Sequence, residues 1–190
     1  MEGAWRDEVD LGLVTTVLAL NDLQSFRGDD AGEWTQYIRT TLCEGADGYC
    51  IHETLRRHDR WSRRVVGWVQ EVGRSLPQLP GCDIVHVDFH HRNLLRNEGS
   101  LTAVVDWEGG RFGDRAFDLV TFCFGFTHAI ADPGLQEVVW NYATSIGQPD
   151  AITAYVAHMA LRRLDWTIRH HPGEIDLVAD LVRRYMSKCG

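Results

Sequence analysis

A chain of 190 residues, 44% hydrophobic and 24% charged, is long enough to bury one sizeable core but short for two independent domains. Its net charge of −8 and pI near 5.5 argue against nucleic acid or an anionic membrane as partner, and are compatible with a cationic small molecule. No apolar run reaches membrane-spanning length and no signal-peptide core stands at the N-terminus; five scattered cysteines without a CxxC pair read as reduced thiols and not as a cysteine zinc site or a disulfide frame, so a cytoplasmic setting is expected.

In chain order, residues 8–23 place Leu11, Val14 and Leu18, and beside them Val17 and Leu20, at helical spacing. Residues 21–30 are polar and contain Gly28, a loop signal. A second helix is expected over 31–43, with Trp34, Tyr37, Ile38 and Leu42 on one side, and Gly45 to Gly48 end it. The spine Ile51, Leu55, Val65, Val69, Val72 predicts one long helix over 50–72. Its other face, Arg56, Arg57, Arg60, Arg63 and Arg64, reads as a solvated surface carrying i,i+4 pairs. Pro77, Pro80 and Gly81 mark a turn before a strand.

Residues 84–107 organise the rest. Ile84 and Val85 form a short apolar run ending in His86-Val87-Asp88, and the polar loop Phe89-His90-His91-Arg92-Asn93 follows. Leu94-Leu95-Arg96 and Leu101 to Val105 then flank the turn-rich Asn97-Glu98-Gly99-Ser100, a hairpin. With Gly99 and Ser100 centring the turn, Leu95 faces Val104, Leu94 faces Val105 and Asn93 faces Asp106. Opposed residues of an antiparallel pair lie about 4.5–5.5 Å apart. An amide oxygen is therefore expected beside a carboxylate, with Asp88 on the preceding loop. Three hard oxygen groups suit Mg²⁺ and phosphate better than zinc.

Downstream, 108–113 reads as a glycine-rich loop and Asp114 as the N-cap of a helix over 115–130, with Asp118 in its first turn. Asp132-Pro-Gly134 opens a helix to about Ile146. Gln148-Pro-Asp150 caps a long one over 151–170, with Ile152, Tyr155, Val156, Met159 and Leu164 inward. His171-Pro-Gly173 precedes a last helix carrying Ile175, Val178, Leu181, Val182 and Tyr185. The fold class is mainly α with a small central β-hairpin sheet (α+β).

The ordered set His86-x-Asp88-x4-Asn93 followed by Val-Val-Asp106, continued as Trp-Glu-Gly-Gly-Arg-Phe-Gly-Asp114-Arg-Ala-Phe-Asp118-Leu, resembles the catalytic stretch of the aminoglycoside phosphotransferase and choline kinase group, relatives of the protein-kinase fold. The resemblance implies ATP- and Mg²⁺-dependent phosphorylation of a hydroxyl on a cationic substrate, an aminoglycoside or a basic peptide antibiotic. It makes Asp88 the catalytic base, Asn93 and Asp106 the metal ligands, and His86, His90 and Asp118 the residues that brace the loop. Glu108 is placed to meet a cationic substrate, or is a solvated loop acid. Val87 departs from the glycine usual between the histidine and the aspartate of the antibiotic kinases.

By the same resemblance, residues 1–190 correspond to the C-terminal lobe alone: a helical region 1–80, the catalytic loop and metal hairpin 81–107, and a helical region 108–190. The N-terminal lobe, with its phosphate-covering loop and lysine, is absent; Lys188 is the only lysine. Weak Mg-ATP affinity, impaired turnover by this chain alone, exposed apolar surface on the N-terminal side of the hairpin and self-association are the expected consequences.

Two further readings use the same residues. A non-catalytic module that captures a cationic small molecule or a partner lobe is favoured by the absent lysine and disfavoured by the intact Asp88, Asn93, Asp106 set. A zinc metallohydrolase cluster of His86, Asp88, His90 and His91 lacks a further downstream histidine at a comparable strand end. Gly109 to Gly113 sits where a phosphate cradle would, yet matches neither G-x-G-x-x-G nor a Walker loop.

Overall fold

The computed structural model describes residues 8–26, 32–97, 100–126 and 130–189. In chain order these form β1 (Glu8–Val9), α1 (Leu11–Leu23), α2 (Glu33–Glu44), α3 (His52–His58), α4 (Arg60–Ser75), β2 (Asp83–Val85), β3 (Leu94–Asn97) and β4 (Ser100–Val104). There follow β5 (Arg111–Gly113), α5 (Ala116–Gly125), β6 (Ile130–Ala131), α6 (Pro133–Ile146), α7 (Pro149–His170) and α8 (Ile175–Met186). The chain is mainly helical, as its periodicity predicts. Among the described residues its strands make three two-stranded ladders instead of one: parallel β1–β6, antiparallel β2–β5 and antiparallel β3–β4.

Two compact units result, one from residues 1–30 and 81–147, the other from 31–80 and 148–190. In the second, α7 packs against α2, α3, α4 and α8. Its Ile152, Tyr155, Val156, Met159 and Leu164 are all buried, and Trp34 of α2 donates its indole N–H to Tyr155 Oη at 3.0 Å. The expected long helix over 50–72 is broken at Asp59. That residue leaves helical backbone (φ −150°, ψ −178°), and its Oδ1 accepts the Ser62 N–H at 2.6 Å, so it caps α4. Local capping satisfies orphan donors that a continuous helix would have spent on its own ladder. The arginine face is exposed throughout, and Arg57 pairs with Glu53 one turn back. A Cβ on Gly73 would come within 2.8 Å of Cys43 Sγ and Leu42 Cβ, so α2 and α4 approach closely only because that position is glycine.

In the first unit α1 begins later than its periodicity suggests. Asp10 accepts the Leu13 N–H at 2.7 Å and caps the helix, which leaves Glu8 and Val9 to pair as strand. Leu11 is consequently exposed, while Leu13, Val14 and Val17 face inward. Arg96 Nη2 reaches Asp10 Oδ2 at 2.8 Å and ties this cap to β3; that bond, with the Leu13 N–H, holds the Asp10 carboxyl below its usual range. Helix α5 is buried from Ala116 to Phe124 and packs on α6. It ends at Gly125, short of the expected 130, and residues 127–129 lie outside the described residues, as does Gly28; of the loop expected over 21–30, residues 21–23 belong to α1.

The segment 108–113 is not all loop: Arg111–Gly113 pairs with Asp83–Val85, Ile84 opposite Phe112. Phe26 lies against Phe112, ring centroids 5.8 Å apart, and Ile84, Phe112 and Phe26 are 40%, 59% and 50% exposed. This ladder thus carries an apolar patch at the surface.

Candidate active site

The loop after β2 is held by one carboxylate. Asp118, fully buried in the first turn of α5, accepts the His86 N–H on Oδ2 at 2.7 Å and the Val87 N–H on Oδ1 at 3.0 Å. Gln24 Nε2 donates to Oδ2 at 2.5 Å. Burial pushes the Asp118 carboxyl up to about 6 against these three hydrogen bonds, which pull it down. Desolvation wins, yet at neutral pH the group is ionised and accepts from all three donors.

Val87 takes φ +74°, the left-handed region that a β-branched residue rarely enters. The position that is usually glycine in the resembling kinases is thus one whose backbone favours glycine. The two N–H bonds to Asp118 hold the strained turn closed. His86, also buried, braces the loop from the other side. Its Nδ1 accepts the Asp88 N–H at 3.3 Å, and its Nε2 lies 2.8 Å from the Val105 carbonyl, which can only accept. The Val105 carbonyl calls for a hydrogen on Nε2. The ring also packs on Trp107, centroids 4.5 Å apart. With both nitrogens engaged, His86 is no metal ligand. Among the described residues, no three His, Cys, Asp or Glu side chains are placed to hold a metal ion together, so the zinc reading has no support.

Asp88 is half-buried, its carboxylate 3.6 Å from His90 Nε2. His90 Nδ1 accepts the Arg92 N–H at 3.2 Å and caps the short 3₁₀ turn His91–Asn93, which leaves its Nε2–H directed to Asp88. Asn93 is buried and donates Nδ2 to the Asp88 carbonyl at 2.9 Å. A Cβ on Gly125 would meet His90 Cβ at 3.1 Å, so the end of α5 backs this turn.

The hairpin register differs from the expected one. Asn97 pairs with Ser100, which leaves two residues between the strands, and these lie outside the described residues. Two-residue connections suit the twist of antiparallel strands better than longer ones. That moves the register by two, and an irregularity between Leu95 and Arg96 restores one: Leu95 faces Ala103, and Leu94 faces Val104. Asn93 consequently meets Val105, whose N–H donates to the Asn93 carbonyl at 3.0 Å, instead of Asp106. Asp106 lies one residue beyond, exposed, in left-handed backbone (φ 67°, ψ 52°) that aspartate tolerates. Glu108 is exposed in the 3₁₀ turn Trp107–Gly109. The donor chemistry fits Mg²⁺: Asp106 offers a carboxylate, and Asn93, its amide N–H spent on Asp88, offers Oδ1.

Sequence reasoning missed Gln24, Asn21 and Arg115. Asn21 Nδ2 donates to Gln24 Oε1 at 2.7 Å, and Arg115 Nη1 to Asn21 Oδ1 at 3.3 Å. Periodicity pairs near neighbours only; no signal could have linked Gln24 to Asp118.

A short β-ladder leading into a loop pinned by the buried carboxylate of the next helix, with a hairpin beside it and helices around it, defines the helical lobe of a kinase-like fold. The chain belongs to the phosphotransferase enzyme family (APH), whose model matches residues 8–152. It is similar to a hygromycin-B 4-O-kinase of Escherichia coli, 30% identical over 94 residues that cover 49% of this chain and 27% of that protein. The apo structure of a thermostable mutant of aminoglycoside phosphotransferase APH(4)-Ia superposes with a TM-score of 0.57 at 20% identity, covering 82% of this chain and 52% of the other. A variant of that enzyme in ternary complex with ADP and hygromycin B gives 0.56 at 19%, covering 83% and 52%. A choline/ethanolamine kinase family protein from Mesorhizobium loti gives 0.50 at 17%, covering 93% and 60%. At such identities the structural likeness shows the fold. The chain spans 52% of the length of the aminoglycoside phosphotransferase it matches.

Proposed function

We propose that this chain carries the acceptor-activating half of an ATP- and Mg²⁺-dependent phosphotransfer site acting on a hydroxyl of a cationic small molecule. Asp88 takes the hydroxyl proton as the oxygen bonds to the γ-phosphorus, and the bond to ADP breaks with its electron pair leaving on ADP. Asn93 and Asp106 hold the metal, which when bound neutralises phosphate charge. Glu108 meets a cationic group of the acceptor. His86, His90 and Asp118 brace the loop. The observation that carries this reading is the loop itself: Asp118, His86 and Asn93 fix its backbone, and His90 Nε2 stands 3.6 Å from the Asp88 carboxylate. Preorganised groups of this kind are what phosphoryl transfer requires of a protein.

Membership of the phosphotransferase family supports the reaction class, and the hygromycin-B kinase likeness supports an aminoglycoside as acceptor, ahead of a basic peptide antibiotic. The setting we infer is cytoplasmic, where ATP is available; no helix among the described residues is long and apolar enough to cross a membrane. Turnover by this chain alone is slow and Mg-ATP binding weaker than micromolar, because the unit holding Asp88 contains no lysine for the phosphates. The exposed patch of Phe26, Ile84 and Phe112 is covered by self-association. Sedimentation should show a dimer that Phe112→Ser weakens, and a monomer at all concentrations would remove that part.

The test of the function is transfer from labelled ATP to a panel of aminoglycosides, basic peptides and uncharged sugars. Aminoglycosides should be labelled and uncharged sugars not. Labelling of the sugars alone would overturn the cationic acceptor, and binding of the cations without labelling would favour the binding module.

A further inference from the structure

The Asp118 carboxylate that pins the loop is itself held from behind, by a chain of hydrogen bonds whose direction is fixed at both ends. Arg115 can only donate, and its Nη1 donates to the Asn21 carbonyl at 3.0 Å and to Asn21 Oδ1 at 3.3 Å. The Asn21 amide is thereby oriented: Nδ2 donates to Gln24 Oε1 at 2.7 Å and to the Arg115 carbonyl at 2.9 Å. Gln24 must then present Nε2, which donates to Asp118 Oδ2 at 2.5 Å. An ionised carboxylate can only accept. All three side chains from Asn21 to Asp118 are buried, so none can exchange its partner for water.

We propose that Gln24 is a positioning residue for Asp88, acting through Asp118 to hold the His86–Val87 backbone in its left-handed turn. This rests on the reading of Asp88 given above. The geometry argues it in three steps. Asp118 is the shared acceptor of the His86 and Val87 N–H groups. Val87 needs that restraint, since its backbone is strained. Gln24 is the side-chain donor that stabilises the carboxylate in the form able to accept both. A protonated Asp118 would present an O–H to groups that themselves only donate. The charged and titratable groups around it are His86 on the loop side and Arg115 just before its own helix. Arg115 meets Asp22 of the α1 helix and Asp83 of β2, and Tyr142 of α6 donates to Asp22. Gln24 thus links the end of α1 to the catalytic loop, a role for a segment that sequence alone reads as a linker.

The experiment is amide hydrogen exchange followed by NMR, on the whole chain and on Gln24→Met and Gln24→Glu, across pH 5 to 8, with α7 amides such as Val156 as reference. Gln24→Met keeps the side-chain length and removes the donor; Gln24→Glu sets a second carboxylate against Asp118. The expected result for Gln24→Met is a loss of about tenfold in protection at His86 and Val87. The pH below which that protection fails should also move upward, further for Gln24→Glu by about one pH unit. The α7 amides should keep their protection. Protection and pH midpoint at His86 and Val87 that match the unaltered chain overturn the proposal. So does an equal loss at the α7 amides, which marks a general structural role. Phosphoryl transfer on the same three proteins separates this from the function: selective loss at His86 and Val87 with no transfer by any of them keeps the positioning role and removes the phosphotransfer reading.

Discussion

Val87 occupies left-handed backbone next to the residue proposed to take the acceptor proton, and its side chain is buried. A left-handed conformation costs a residue with a Cβ roughly 1–2 kcal/mol, which glycine escapes. Alanine there loses the packing and keeps the strain; glycine loses slightly more packing and sheds the strain. Val87→Gly should therefore be the more stable of the two by about 1 kcal/mol, the reverse of the usual order, and chemical denaturation of both variants reads the sign directly. Asp118 makes a second prediction. Its carboxyl stands at about 6 when folded against 3.8 ordinarily, so the fold binds the proton more tightly than the unfolded chain does. The stability it contributes is full below about 3.8 and is lost as pH rises through about 6, an effect of about 3 kcal/mol. Relative to Asp118→Asn, which cannot titrate, the protein should gain stability between pH 7 and pH 4. Activity should move the other way, failing as pH falls through about 6, because the protonated carboxyl no longer accepts from both loop amides. A stability difference flat in pH would contradict the burial argument.

At the scale of elements, Asp59 decides where one helix becomes two. Its carboxylate accepts the Ser62 N–H and sits below the usual range for that reason first. Asp59→Ala should cost about 1 kcal/mol by thermal unfolding without changing the chemistry of the loop, since the cap lies in the other unit. The same residue shows what could be read in advance. The spine Leu55, Val65, Val69 was legible because helical spacing survives the break; the break was not, because an aspartate among arginines reads equally as a surface ion pair. The starts of α6 and α7 were legible through Asp132, which accepts the Gly134 N–H, and through Pro133 and Pro149 in the first turns; Gln148 makes no capping bond of its own. The hairpin was legible but its register was not: Glu98-Gly99 and Gly99-Ser100 are both plausible turn centres, and a bulge leaves no mark in the alternation. Strand β5 was hidden by the glycines in and before it, Gly109, Gly110 and Gly113, and three residues give too short a pattern to see. The candidate site residues were visible as an ordered set of types; what holds them, from Gln24 to Asp118, spans too much sequence for any local pattern.

For the whole molecule, the account joins a family assignment to one pinned loop. The family match supplies the reaction class, the fold supplies a rigid seat for Asp88, and the acidic balance of the chain suits a cationic acceptor. The two roles proposed, metal binding by Asn93 and Asp106 and proton uptake by Asp88, make different demands. Asp106→Asn should lower transfer in a way that raised Mg²⁺ partly restores, while no metal concentration should rescue Asp88→Asn. The most direct measurement is the initial rate of phosphoryl transfer from Mg-ATP to hygromycin B by the chain and by Asp88→Asn, followed by phosphorus NMR. Asparagine keeps the shape and removes the basicity, so kcat should fall by about 10²–10⁴-fold with KM for the acceptor nearly unchanged. Equal rates in the two proteins would contradict the role given to Asp88, and with it the reading of the loop that Asp118 and His86 hold.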